Sequence, residues 1–233
     1  MECTYCKTEC VRAEGFARKY INKQKQIMDD ITIAIAHKKY GVGGECLHRG
    51  YYCPSIIEDI VSGNISRGRL LSRPPAQKPA SFTYYFDYIG RLVKTVRIGE
   101  IEVLLYDGTS VLGISFLGTG DVSVLTECTY SDIGQILCYK RFLFDPQQGR
   151  VIEFSEEKYY YSKNQMIVTW CRYAPSSHLS KSIMQQENYI FSAKDGLLIN
   201  YTREEYLNGQ RVLRPTDNCV YKVFVKRKIP NIG

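Results

Sequence analysis

Phe82-Thr83-Tyr84-Tyr85-Phe86-Asp87-Tyr88-Ile89-Gly90-Arg91-Leu92 decides the fold. Phe82, Tyr84 and Phe86 alternate with the period of a β-strand, and Asp87 to Gly90 then reads as a polar turn. Further along the chain, turn signals recur at Asp107-Gly108, Gly118 to Asp121, Asp132 to Gly134, Asp145 to Gly149, Ser162 to Asn164, Asp195-Gly196 and Asn208-Gly209. Asp-Gly and Asn-Gly favour hairpins because both residues accept the positive φ of a type I′ turn. The gaps between these turns are too short for crossover helices, so neighbouring strands must pair antiparallel. Tyr221, Val223 and Val225 alternate again near the end, and Ser176 to Glu187 is the serious interruption, expected as a loop or short helix.

Composition supports this reading. The chain of 233 residues has 19 Tyr and 9 Phe against one Trp, and five of the Tyr and one Phe precede Phe82. Aromatic rings favour half-buried strands, where each covers a cross-strand neighbour. The net charge of +7 is uneven: residues 1–80 hold 13 Lys/Arg against 8 Asp/Glu, leaving 18 against 16 for the rest. An acidic partner would therefore be drawn mainly to the N-terminal part. Glu2, Lys7 and Glu9 interrupt any apolar leader, and no apolar run reaches the ~20 residues of a membrane helix, which points to a cytoplasmic protein. Nine Cys is an odd number, and Cys128, Cys138, Cys171 and Cys219 sit in apolar strand patterns as reduced thiols.

The first part reads differently. Phe16, Tyr20, Ile27, Ile31 and Ile35 predict one helix over Gly15 to Lys39, stopped by Gly41, Gly43 and Gly44. Pro54 opens a second predicted helix with Ile56, Ile57, Ile60 and Val61 as its apolar stripe. A basic, proline-rich connector from Arg67 to Pro79 follows, so the expected organisation is a helical, cysteine-bearing segment over 1–78 and a β-meander over 79–233. The fold class is α+β, mainly β.

The turns expose a degenerate internal repeat. Its clearest copy is Tyr84 to Leu92. Partial copies lie at Thr129 to Ile136, Phe142 to Val151, Tyr159 to Met166 and Tyr189 to Leu198. This pattern resembles the YD-repeat of the Rhs family, whose core is Tyr-x-Tyr-Asp-x-x-Gly-Arg-Leu, with Phe86 here in place of the second Tyr. In that family long regular arrays wind into hollow shells around a toxin domain. The few, unevenly spaced copies here imply instead an open hairpin sheet, Rhs-like but divergent. The resemblance also implies a bacterial protein related to toxin–immunity systems.

Candidate chemistry is sparse. Cys3-x-x-Cys6 has metal-knuckle spacing, and Cys46 and Cys53 lie some forty residues on, with Cys10 and His48 as alternates. Two soft ligands from each cluster would complete one structural zinc site. The rival reading is free thiols and a surface His. His37, His48 and His178 stand in no recognised catalytic motif, and His37 is expected near a helix C-terminus. Glu156-Glu157 and Glu204-Glu205 should point to opposite sides of a strand, which suits a solvated edge. Gly41 to Gly44 lacks the Lys-Ser/Thr of a phosphate loop.

The expected function is therefore non-catalytic protein binding, toxin neutralisation being its sharpest form. Tyr84, Phe86, Tyr159 and Tyr161, with Arg67 and Arg69, are the candidate contact residues. The alternatives are a nucleic-acid-binding protein using the basic N-terminal part and a Cys/His hydrolase.

Overall fold

The computed structural model describes residues 3–21, 23–61, 66–175, 182–194, 197–207, 209–213 and 219–223. Two helices come first, α1 (Thr4–Tyr20) and α2 (Gln24–Ala34). The strands follow: β1 (His37–Val42), β2 (Arg69–Leu71), β3 (Phe82–Phe86), β4 (Leu92–Arg97), β5 (Glu100–Asp107), β6 (Ser110–Leu117) and β7 (Val122–Tyr130). The series continues with β8 (Ile136–Asp145), β9 (Arg150–Ser162), β10 (Gln165–Ala174), β11 (Ile183–Lys194), β12 (Leu197–Leu207), β13 (Gln210–Val212) and β14 (Tyr221–Lys222). All belong to one antiparallel sheet in the order β13-β12-β11-β10-β9-β8-β7-β6-β5-β4-β3-β1-β2, with β14 also on β12. From β3 to β13 spatial order is chain order, the meander that the turn spacing dictates.

The turn after β3 shows why. Asp87 Oδ1 accepts from Ile89 N at 3.1 Å and Arg91 N at 2.8 Å, and its Oδ2 accepts from Arg91 Nε at 2.8 Å. Gly90 takes φ +82°, a left-handed conformation that costs glycine little. The same backbone closure recurs twice. Ser131 N donates to Gln135 O (2.7 Å) and Gly134 N to Ser131 O (2.9 Å), as Leu117 N does to Asp121 O and Gly120 N to Leu117 O (both 2.9 Å). Asp87 N donates to Arg91 O and Gly90 N to Asp87 O in the first turn, so Ser131, not Asp132, holds the position of Asp87, and Ser131 Oγ accepts from Gln135 N at 3.1 Å.

Residues 1–78 depart from expectation. The helix predicted over Gly15 to Lys39 is two helices followed by strand. α1 begins at Thr4, capped by Cys3, and buries Cys6, Cys10, Ala13 and Ala17 at spacings of four, three and four. This stripe of small side chains lets the helix lie close on the sheet, and it was hidden because cysteines at that spacing read as metal ligands. Ile21 leaves helical geometry, yet Phe16, Tyr20, Ile27 and Ile31 do pack on the same core. His37 opens β1 and stacks on Phe86, ring centroids 4.8 Å apart. The helix expected from Pro54 is one short π-type turn, Ile57–Val61. Because β1 lies between β2 and β3, the segments on either side of residue 78 share one sheet. Ile183 to Glu187, expected as loop or helix, is strand. His178 and the Asp195-Gly196 turn lie outside the described residues.

Candidate functional site

Each strand presents alternate residues to opposite faces, and the two faces carry separate cores. On one, Ile114, Phe116, Leu125, Phe142 and Phe154 are buried against α1 and α2. Arg12 makes two bonds to Glu127 (2.6 and 2.7 Å), and Lys140 Nζ donates to Glu9 at 2.7 Å. On the other face, Phe82, Tyr84, Tyr139, Tyr159 and Val168 pack with Tyr52, Ile56 and Ile57 from the segment 44–61. Burying each such side chain favours folding by roughly 1.5–3 kcal/mol.

The segment 44–61 is fastened by a buried polar network. Arg49 Nε and Nη2 bond both oxygens of Glu102 (2.9 and 2.5 Å), and Nη2 also reaches Thr126 Oγ1 at 2.9 Å. Arg49 sits at φ +64°, held there by this grip. Beside it, His48 Nδ1 lies 3.1 Å from Tyr139 OH and Nε2 lies 3.6 Å from Glu102 Oε1. Glu58 accepts from His48 N (3.0 Å), Arg141 Nη1 (3.1 Å) and Cys53 Sγ (3.5 Å). Glu157 accepts from Ser55 Oγ and from Tyr159 OH.

Gly113 makes room for this ion pair. A Cβ there would clash with Thr126 Oγ1 and lie 2.5 Å from Glu102 Oε1. Glu102, Thr126 and Gly113 were missed in the sequence. The available signal was the lone glycine inside an apolar strand, which marks close approach.

Burial sets the charge states. It lowers the His48 pKa to about 4, so the imidazole is neutral near pH 7. It would raise Glu102, but the charge of Arg49 more than offsets it and holds that carboxyl low. Burial pushes Glu157 up to about 7 against the bonds from Ser55 and Tyr159. Tyr139 is 1% exposed.

The candidate residues read from sequence fall as follows. Cys3, Cys6 and Cys10 lie with α1 on one face, whereas His48 and Cys53 lie under the segment on the other. Cys46 is exposed. The sheet separates the two cysteine clusters, so they do not meet at one centre. Among the described residues, no group of three or more His, Cys, Asp or Glu could hold a metal ion.

Tyr84, Phe86 and Tyr159 are core side chains. Tyr84 OH donates to Arg49 O (3.2 Å) and accepts from Tyr51 N (2.9 Å), and Tyr159 OH accepts from Ile56 N at 3.2 Å. Half-buried Tyr161 donates to Ile136 O at 2.9 Å. The Tyr84 and Tyr159 hydroxyls hold the segment on the sheet, because the segment presents backbone groups that a phenol can satisfy. Arg67 pairs with buried Asp59 at 2.9 Å and caps Tyr51 O at 3.1 Å, while Arg69 is exposed on β2. Glu156 and Glu157 do point to opposite faces, but both are buried, not solvated.

A cavity of about 210 Å³ opens beside His48, lined by Glu45, Cys46, Glu58, Arg97 and Arg141 among others. Cys46 and His48 share it, but both His48 ring nitrogens face Tyr139 and Glu102. The helix-side face beyond α1 is also accessible. There the register aligns Tyr160, Ile167, Ile190 and Thr202 across β9 to β12. Tyr160 is 56% exposed, and the other three are partly exposed.

No family model, no curated protein and no solved structure matches the chain. No helix among the described residues is long and apolar enough to cross a membrane.

Proposed function

We propose that the chain is a non-catalytic protein-binding module whose contact surface is the helix-side face of β9 to β12. The row Tyr160–Ile167–Ile190–Thr202 carries this reading: it is continuous across four strands, mostly apolar, and its β9 member Tyr160 lies four residues along the strand from Glu156, where Tyr5 of α1 docks. A sheet face bearing an exposed aromatic and branched residues offers rigid contact area of the kind enriched at interface centres. Neutralisation of a toxin is the sharpest form of this function and rests on the resemblance of Tyr84 to Leu92 to the YD-repeat.

The hydrolase reading has less support. Burial raises the Cys53 thiol well above its ordinary range, and Glu58 takes its hydrogen. His48 Nδ1 is taken by Tyr139 OH, and Nε2 is directed at Glu102, 3.6 Å away. The nucleic-acid reading loses Arg67 to Asp59.

The test is affinity capture from a bacterial lysate with the whole chain and with a Tyr160→Asp/Ile190→Lys variant. Circular dichroism would first establish that the variant is folded. A protein retained by the unmodified chain and lost by the variant supports the proposal. Equal retention by both, or no enriched protein, would overturn it.

A further inference from the structure

Three thiols gather where the first turn of α1 meets the sheet. Cys3 caps the helix, its Sγ accepting from Cys6 N at 3.4 Å. Tyr5, between them, donates its hydroxyl to Glu156 at 2.7 Å. Glu156 on β9 is the direct cross-strand partner of Cys171 on β10, so Tyr5 docks the turn beside Cys171. Cys3, Cys6 and Cys171 all pack on the same core, and the Cys6 and Cys171 thiols lie close enough to perturb each other.

We propose that Cys6 and Cys171 form a peroxide-reactive thiol pair that closes to a disulfide and staples the start of α1 to β10.

The two sulfurs have different roles. The interaction with Cys6 lowers the Cys171 thiol by more than burial, Cys3 and Glu156 raise it, and Lys158 adds a smaller lowering. The Cys6 thiol is raised by the same interaction and then by burial. The thiolate is the reactive form of cysteine, and access to it decides which thiol of a pair meets an oxidant first. Cys171 is also the more accessible of the two, being half-buried where Cys6 is buried.

The chemistry balances with hydrogen peroxide as the two-electron oxidant. The Cys171 thiolate attacks one peroxide oxygen, the O–O bond breaks, and the departing hydroxide takes a proton to leave as water. Cys171 is then a sulfenic acid. The Cys6 sulfur attacks the Cys171 sulfur, the S–O bond breaks, and the Cys6 proton leaves with the hydroxide as a second water. A thiol reductant reverses the step by exchange.

Cys138 does not compete, because its thiol is directed at Glu156 Oε1, 3.8 Å away. Cys46 and Cys219 are exposed and serve as internal controls.

The experiment treats the whole folded chain with equimolar hydrogen peroxide and blocks free thiols with N-ethylmaleimide. The non-reduced digest is then mapped by mass spectrometry. The expected product is a Cys6–Cys171 cross-linked peptide, two hydrogens lighter than its parts, abolished by dithiothreitol. It persists in Cys3→Ser and is lost in Cys171→Ser. In Cys6→Ser, dimedone should trap the sulfenic acid at Cys171. Should that variant not fold, the mapping of the unmodified chain decides alone. Full alkylation of both Cys6 and Cys171 after peroxide would overturn the proposal. So would a Cys3–Cys171 bridge in its place, or oxidation of Cys46 or Cys219 with Cys171 untouched.

Discussion

Glu156 and Glu157 are neighbours on β9 that end in different layers: Glu156 accepts the hydroxyl of Tyr5 from α1, and Glu157 accepts that of Ser55 from the segment 44–61. One peptide unit thus joins the two coverings of the sheet. Both carboxylates are buried with partners chosen by the face they meet.

Glu157 gives stability a pH signature. Its folded pKa, about 7, is raised above an ordinary 4.5, so its contribution is fully present below pH 4.5 and is lost as pH rises through 7. His48 runs the other way: lowered from 6.5 to about 4, it contributes fully above pH 6.5 and loses that contribution as pH falls through 4. Each effect is on the order of a few kcal/mol and they oppose one another. Urea denaturation should therefore show little slope between pH 5 and 7 in the unmodified chain. Glu157→Gln should expose the His48 slope, with stability rising with pH over that interval. An unchanged profile would show that Glu157 does not titrate there.

Arg49→Met leaves Glu102 buried without its cation, and the expected loss is about 3–5 kcal/mol by urea denaturation. The double variant Arg49→Met/Glu102→Met should recover most of that loss, because removing both charges also removes the desolvation cost. Additive losses would show that the pair is not the fastening described.

Gly113→Ala drives a methyl into Thr126 Oγ1 and Glu102 Oε1. Destabilisation of about 1–3 kcal/mol is expected, as for overpacking elsewhere. Gly118→Ala is the control, since a Cβ there meets nothing within 4 Å, and its effect should stay within about 0.5 kcal/mol. Thermal unfolding of the two variants distinguishes the cases.

Asp87→Ala removes one oxygen that accepts two backbone N–H groups and another that accepts Arg91 Nε. The expected cost is about 1–2 kcal/mol. Ser131→Asp places the same acceptor in the equivalent turn and should be neutral or stabilising by a few tenths of a kcal/mol. Asp132→Ala, away from that position, should have little effect.

The hairpins were legible because their causes are local. Alternation at Phe82, Tyr84 and Phe86, followed by Asp87 and Gly90, needs only neighbouring residues to form a strand and a turn. Even there, the choice of Ser131 over Asp132 depended on which backbone oxygen closed the turn. α1 was missed for a different reason. Cys6, Cys10, Ala13 and Ala17 form a helical stripe only when a sheet lies against it, since small side chains gain little by themselves.

What residues close in sequence impose on one another — strand period, turn type, antiparallel pairing and the order of the meander — could be read directly from the chain. Which layer covers which face could not. Tyr84 and Tyr159 look like contact residues until Arg49 and Ile56 lie over them, and Arg67 looks like a free cation until Asp59 takes it. Those pairings join residues far apart along the chain. Their energy comes from burying charge, phenol and backbone together, and that burial exists only once the segment and the helices have closed on the sheet.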